Sequence, residues 1–272
     1  MSNKKQLEMK CFNATQDFIN GKLGLKSRKY LRLLLPNEVQ VVQSERPDFI
    51  LADEKETYLL EHFMVDFCYD GQKNNQSESR RAGREINDIF TKFHDPTIGT
   101  IKDSDIDEAV SVIESEVNKI TNITQKFDYE KYVQAFRRVF FEHYKRVSEY
   151  RKNPEVKDEN IKVGFLIEFH CDTSLLNAIY NGSIVYLKGA RKPFPMTADI
   201  LNMFKDARDL DFIIISQFDE GVATEARYVT AFEPRNIKRS LELQRISVYD
   251  SVYYLDVTKN IKLNVAADHG LR

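Results

Sequence analysis

Leu7, Cys11, Ala14 and Phe18 recur at i, i+4, i+7 and i+11, a helical apolar stripe, and Gly21 supplies its stop. The pattern then changes period. Residues 39–43 alternate polar and apolar, 44–51 ends in Phe-Ile-Leu, and 58–67 is rich in aromatic and aliphatic side chains. Three strands in close succession predict a meander, its last two joined by the charged turn 52–57. A polar loop at 70–79 leads into a helix predicted over 77–93, with Ala82, Ile86, Ile89 and Phe93 as its buried stripe. Residues 94–104, with Pro96 and Gly99, read as a loop. Two more helices are predicted over 105–121 and 128–152; in the second, Tyr132, Phe136, Val139, Phe140, His143 and Val147 share one face. Residues 161–170 read as a core strand, 173–180 as a short helix, 197–208 as a helix, 211–218 as a strand and 247–256 as a further strand.

This order predicts the α/β class, with one mixed central sheet flanked by helices. The whole reads as a single globular domain: an N-terminal part of the core at 1–104, a helical insertion at 105–152 packed on its side or projecting from it, and the rest of the sheet with a C-terminal α/β extension at 153–272.

Composition narrows the classes. The chain has 272 residues, 42% of them hydrophobic, enough for a real core. Its 40 Lys+Arg nearly balance 42 Asp+Glu, for a net charge of −2, which argues against a dispersed polybasic binder of nucleic acid. The distribution is less even than the sum. Lys22, Lys26, Arg28, Lys29 and Arg32 fall in a stretch without an acid, and Arg80, Arg81 and Arg84 sit at the start of the predicted helix 77–93. Three widely spaced cysteines, Cys11, Cys68 and Cys171, cannot build a disulfide framework and suit a reducing compartment. No apolar run approaches the ~18–20 residues of a membrane span. Gln6, Glu8, Lys10 and Asn13 break any signal-peptide core, so a cytoplasmic location without membrane association is expected. The glycine-rich phosphate loops and the nucleophile elbow are absent as motifs, which removes support for nucleotide hydrolysis, dinucleotide redox and common serine hydrolase chemistry.

The residues with chemical content are Arg46-Pro47-Asp48-Phe49 at the start of one predicted strand and Glu61-His62-Phe63 inside the next. Two carboxylates on adjacent antiparallel strands can converge and bind a hard divalent cation through oxygen. Glu61 lies among Tyr58, Leu59, Leu60, Phe63, Met64 and Val65, where a charge is costly unless paired or metal-bound. An ion pair with an arginine of the following helix is the plainer account of it, and a solvated strand entry the plainer account of Asp48.

At these residues the chain resembles the PD-(D/E)XK (restriction-endonuclease-like) nuclease superfamily, whose core runs helix, three-strand meander, helix, strand. Pro47-Asp48 stands at the PD, Glu61 at the acid of (D/E)XK, and the resemblance covers about residues 5–93 and 161–170. It implies a restriction-endonuclease-like core and a metal-dependent nuclease hydrolysing DNA phosphodiester bonds. Asp48 and Glu61 would hold Mg²⁺ or Mn²⁺, with Lys22, Lys26, Arg28, Lys29, Arg32, Arg80, Arg81 and Arg84 on phosphates. The chain departs from the family at the lysine, where it has Phe63. Some members place that cation on the following helix, and Arg80 and Arg84, four residues apart, are the substitutes expected, with Lys73 and Arg81 behind them. Arginine clamps phosphate well but stays protonated and is a poor general base. The rival reading is therefore a non-catalytic nuclease-like scaffold that binds nucleic acid or a protein partner; a homo-oligomer is compatible with either.

Other residues receive plainer roles. Glu168, and Glu8 on the first helix, are auxiliary acids by the same resemblance. His62 alternates away from Glu61 and is expected to be a packed histidine. His170-Cys171-Asp172 offers three ligand types, but neighbours on a strand point apart, so no zinc site is expected there. Arg138, Lys145 and Lys152 repeat every seven residues as a solvated face.

Overall fold

A computed structural model describes residues 3–26, 28–35, 38–53, 55–66, 129–153, 156, 160–170, 176–186, 194–218 and 225–254. The expected helices at 77–93 and 105–121 lie outside these residues. Helix α1 (Asn3–Asn20) is followed by two single turns, α2 (Leu23–Lys26) and α3 (Lys29–Arg32), and by the strands β1 (Gln40–Gln43), β2 (Phe49–Ala52) and β3 (Thr57–Asp66). Then come α4 (Tyr129–Tyr144), α5 (Val147–Tyr150), β4 (Ile161–His170), β5 (Leu176–Tyr180) and β6 (Ser183–Tyr186). The described chain ends with α6 (Ala198–Asp206), β7 (Phe212–Phe218), β8 (Tyr228–Phe232), a 3₁₀ turn (Pro234–Asn236), α7 (Ile237–Gln244) and β9 (Ser251–Tyr254). Among the described residues no helix is long and apolar enough to cross a membrane.

The main sheet has six strands in the order β1-β2-β3-β4-β7-β8. β1, β2 and β3 form an antiparallel meander; β4 runs parallel to β3, β7 parallel to β4, and β8 returns antiparallel to β7. The mixed α/β class predicted from the order of elements is therefore the class observed. The central strands β4 and β7 are near-continuous apolar runs because helices cover both faces, as a parallel sheet requires.

Alternation assigns each residue to a face. Leu59, Phe63 and Val65 of β3, with Val163, Phe165, Ile167 and Phe169 of β4, point to the side covered by α4 and α6. Their partners there are Phe136, Phe140, Met203 and Phe204, and each fully buried ring of this kind contributes about 1.5–3 kcal/mol through the area it removes from water. Tyr58 and Leu60, with Leu166, Phe212 and Ile214, point to the opposite side, beneath α1 and α3. Gly164 is required on that side: a Cβ there would collide with the Phe212 ring, which stacks on Tyr30 at 4.5 Å.

Of the apolar stripe expected on α1, Cys11 and Ala14 are buried and Phe18 is half-buried, whereas Leu7 is 53% exposed; Glu8, Phe12, Thr15 and Ile19 are buried with them. The helix crosses the strands, with Gln43 donating to Glu8 at one end and Thr15 hydrogen-bonded to Ser216 of β7 further along, and this is why polar residues lie on its inner face.

A second sheet, β6-β5-β9, was not legible in the pattern. The helix expected at 173–180 is a correction: residues 176–180 form β5, and Asn181-Gly182, at φ 50° and 72°, turns it into β6. Positive φ at both turn residues matches the twist of a two-residue hairpin, and Asn-Gly tolerates it. The Ser251–Tyr254 part of the expected tail strand pairs with β5 rather than with the main sheet.

Candidate functional site

β2 and β3 pair with Phe49 opposite Leu60, and Asp48, the residue before β2, reaches β3 through its carboxylate at the His62 N–H, next to Glu61. The β1–β2 connection that delivers Asp48 contains a cis Arg46–Pro47 bond and is closed by the Ser44 N–H donating to the Asp48 carbonyl at 2.9 Å. Both acids are buried, Asp48 to 2% exposure and Glu61 to 4%.

Each carboxylate is oriented by named neighbours. Asp48 Oδ2 accepts from the His62 backbone N–H at 2.8 Å, and Lys4 Nζ lies 3.4 Å from Oδ1. The same ammonium is 3.0 Å from Glu8 Oε1, so it spans two acids from the solvent side. Gln43 Nε2 donates to Glu8 Oε2 at 3.3 Å and to the Lys5 carbonyl at 2.8 Å. Glu61 Oε1 accepts from His143 Nδ1 at 2.8 Å, whereas Oε2 is buried without a hydrogen bond of ordinary geometry.

Phe63 explains how His143 is held. The phenyl ring, 5% exposed, stacks on the imidazole with centroids 4.5 Å apart and planes 13° apart. Phe140 and Phe165 brace the ring edge-on. The position where the resemblance has a lysine is thus an aromatic shelf, and the group that reaches Glu61 is an imidazole from α4. Sequence reasoning placed His143 on the apolar face of its helix; the signal available was one polar residue among Phe136, Phe140 and Val147.

The electrostatics are those of crowded anions. Burial, then the charge of Glu61, raises the Asp48 carboxyl to about 6; the His62 N–H and Lys4 act against the rise, and Glu8 adds to it. Partial burial works against the Lys4 ammonium, but its hydrogen bond and charge interactions with Glu8 and Asp48 leave its pKa raised. Burial, with the Glu61 charge next, pushes the Tyr150 phenol well up. Asp48 and Glu61, both buried, with Glu8 near Asp48 and the Lys4 ammonium on the solvent side, are the oxygen donors this region offers to a hard cation.

The remaining residues singled out in the sequence are dispersed. Lys29 and Arg32 line a cleft with Ala52, Asp53 and Tyr58, at the end of β2 away from Asp48, about 13 Å along the strand. Arg32 is paired there with Glu38 at 2.7 Å, and Arg28 donates to Gln244 at 2.6 Å. Lys22 lies over the Phe18 ring, and Lys26 closes α2. The stretch starts only after α1, a helix of about 27 Å, has crossed the sheet, so it does not gather on the acids. Lys73, Arg80, Arg81 and Arg84 lie outside the described residues, as do Cys68, Cys171 and Asp172. Arg138, Lys145 and Lys152 are exposed. His62 and Glu168 meet on the opposite face of the sheet, His62 Nε2 donating to Glu168 Oε2 at 2.9 Å. Comparison with known protein families, curated proteins and solved structures finds no match.

Proposed function

We propose that the chain is a metal-dependent nuclease of the PD-(D/E)XK type, cleaving DNA phosphodiester bonds at Asp48 and Glu61. The observation that carries this reading is that the Asp48 carboxylate is tied to β3 beside Glu61 through the His62 N–H and feels the Glu61 charge, with Glu8 of α1 near it. A helix followed by an antiparallel meander, and a later strand parallel to the last of the meander, support it; the helix expected between them at 77–93 lies outside the described residues.

Asp48 and Glu61 would hold Mg²⁺ or Mn²⁺, with Glu8 as a third oxygen donor. The bound ion supplies Lewis acidity and a water of lowered pKa. The chain's own groups do the rest. The His62 N–H fixes the Asp48 carboxylate, and His143, seated on Phe63, fixes Glu61. Lys4 is the cation of the described site; its side chain, 76% exposed, can leave the acids for a phosphate oxygen. Lys29 and Arg32, at the far end of β2, would touch only a remote part of a bound strand.

The test is Mn²⁺-dependent nicking of supercoiled plasmid by wild type, Asp48→Ala and Glu61→Ala. Each substitution should lower the rate at least about 100-fold, the scale of losing one well-placed electrostatic group. Activity surviving both substitutions would mean that the site lies elsewhere. Mn²⁺ binding that depends on Asp48 without any nicking would favour the scaffold reading, for which the aromatic shelf at Phe63 is the observation.

A further inference from the structure

On the face of the sheet away from Glu61, a second cluster joins three elements. Cys11 comes from the inner face of α1, His62 from β3, and Glu168 and His170 from β4. One ligand atom each from Cys11, His62 and Glu168 lies within 4.8 Å of the other two. Glu168 is shared: Oε2 accepts from His62 Nε2 at 2.9 Å and Oε1 from His170 Nε2 at 2.5 Å. Cys11 is fully buried, and His170 and Glu168 are 2% and 6% exposed.

We propose that Cys11, His62, Glu168 and His170 form a buried tetrahedral site for a zinc-class cation. A thiolate, two imidazoles and a carboxylate are the ligand types such an ion takes, and the thiolate selects against Mg²⁺ and Ca²⁺. Ligand distances of about 2.0–2.3 Å set the ligand atoms of a tetrahedral centre roughly 3.3–3.8 Å apart. Cys11, His62 and Glu168 offer ligand atoms within 4.8 Å of one another, and His170 is held against Glu168 as the fourth ligand. Charge balance favours the ion. Zn²⁺ with one thiolate and one carboxylate is neutral, which suits a place between helix and sheet where a net charge is costly. The proton accounting closes. Cys11 loses its thiol proton to solvent, and each neutral imidazole carries its proton on Nδ1 and turns Nε2 to the metal.

The surroundings hold these ligands in place. Thr15 Oγ1, one turn beyond Cys11, donates to the Cys11 carbonyl and meets Ser216 Oγ of β7, both at 2.7 Å. The His170 ring stacks on Phe218 at 5.5 Å. The metal would therefore be a rivet between α1 and the β3–β4 pair, structural in role because its four positions are filled by protein. It shares one residue with the acids on the other face: His62, whose backbone N–H holds Asp48.

Cobalt substitution of the full-length chain tests the site, since only a thiolate ligand produces a near-ultraviolet sulfur-to-cobalt charge-transfer band. Wild type should bind one Co²⁺ with that band and the intense visible bands of tetrahedral geometry. Added Zn²⁺ should bleach both. The band should vanish in Cys11→Ser and persist in Cys68→Ser, Cys171→Ser and Glu61→Ala, whose side chain lies on the other face of the sheet. Wild type without the band at saturating Co²⁺ would overturn the proposal, and so would a band lost in Cys68→Ser or Cys171→Ser. Either result would leave a hydrogen-bonded cluster that works without metal.

Discussion

Glu61 and His62 are neighbours in the chain, yet they enter clusters of opposite electrostatic character on the two faces of one sheet. On the α4 side, Asp48 and Glu61 crowd anions together, and the Asp48 carboxyl rises to about 6. On the α1 side, although burial works against it, hydrogen bonds and charge interactions with His170 and His62 hold the Glu168 carboxyl well below the usual range. Burial is equally deep on both faces; what differs is that other carboxylates face Asp48, whereas two imidazoles face Glu168. His62 serves both clusters, through its backbone N–H on Asp48 and its ring on Glu168.

Replacing a carboxylate by an amide should therefore act with opposite sign on the two faces. Glu168→Gln should lower stability by roughly 3–5 kcal/mol at pH 7 in chelator, the scale for removing one partner of a buried ionic group. Because its folded pKa is depressed, Glu168 stabilises the fold above its unfolded pKa of about 4.3 and loses that contribution as pH falls through the folded value. The deficit measured by urea denaturation should shrink in acid. An undiminished deficit there would mean that shape, not charge, is what glutamine disturbs.

Removal of His143 comes next. His143→Ala takes away the donor to Glu61 Oε1 and the ring stacked on Phe63, at a cost of about 1–3 kcal/mol, measured the same way. A neutral result would show that Glu61 is served by another donor.

Asp48→Asn should stabilise the metal-free chain at pH 7 by about 1–3 kcal/mol. A folded pKa raised to about 6 means that the folded state binds its proton more tightly than the unfolded chain, so stability falls as pH rises from about 4 to 6. The advantage of the asparagine variant should close as pH drops through that window, and thermal melts at stepped pH would read it. The same substitution should abolish Mn²⁺ binding, a gain in stability with a loss of function. Smallest is Lys4→Ala, which should cost less than about 1 kcal/mol because the ammonium is largely exposed, and should move the Asp48 titration upward by NMR.

Much of the fold was legible because its period was strong. Residues 161–170 emerge as β4 with the expected ends, and Tyr132, Phe136 and Phe140 are buried along α4. The β5–β6 hairpin was missed although Asn181-Gly182 is a strong turn signal, because the preceding residues were read at helical period. At the site, alternation alone sets His62 on the face opposite Glu61, and its ring meets Glu168 there. The partners were not legible. His143 lies 82 residues from Glu61 and Lys4 lies 44 from Asp48, and local periodicity contains no term for such pairings. Leu7 and Glu8 show the same limit: hydropathy alone would bury the first and expose the second, whereas the structure does the reverse.

The parallel pairing of β3 with β4 sets Thr57 beside Ile161. A ribosome that has released the meander can already bring Asp48 and Glu61 together, since β2 and β3 are close in the chain. The cluster under α1 cannot form until His170 has left the exit tunnel, and until then β3 presents an open edge to anything that can add a strand. Such distant pairings are slow to close. The nascent chain therefore has a long interval in which Asp48 and Glu61 are already neighbours, while His143 has still to reach Glu61 and the Cys11 cluster cannot form.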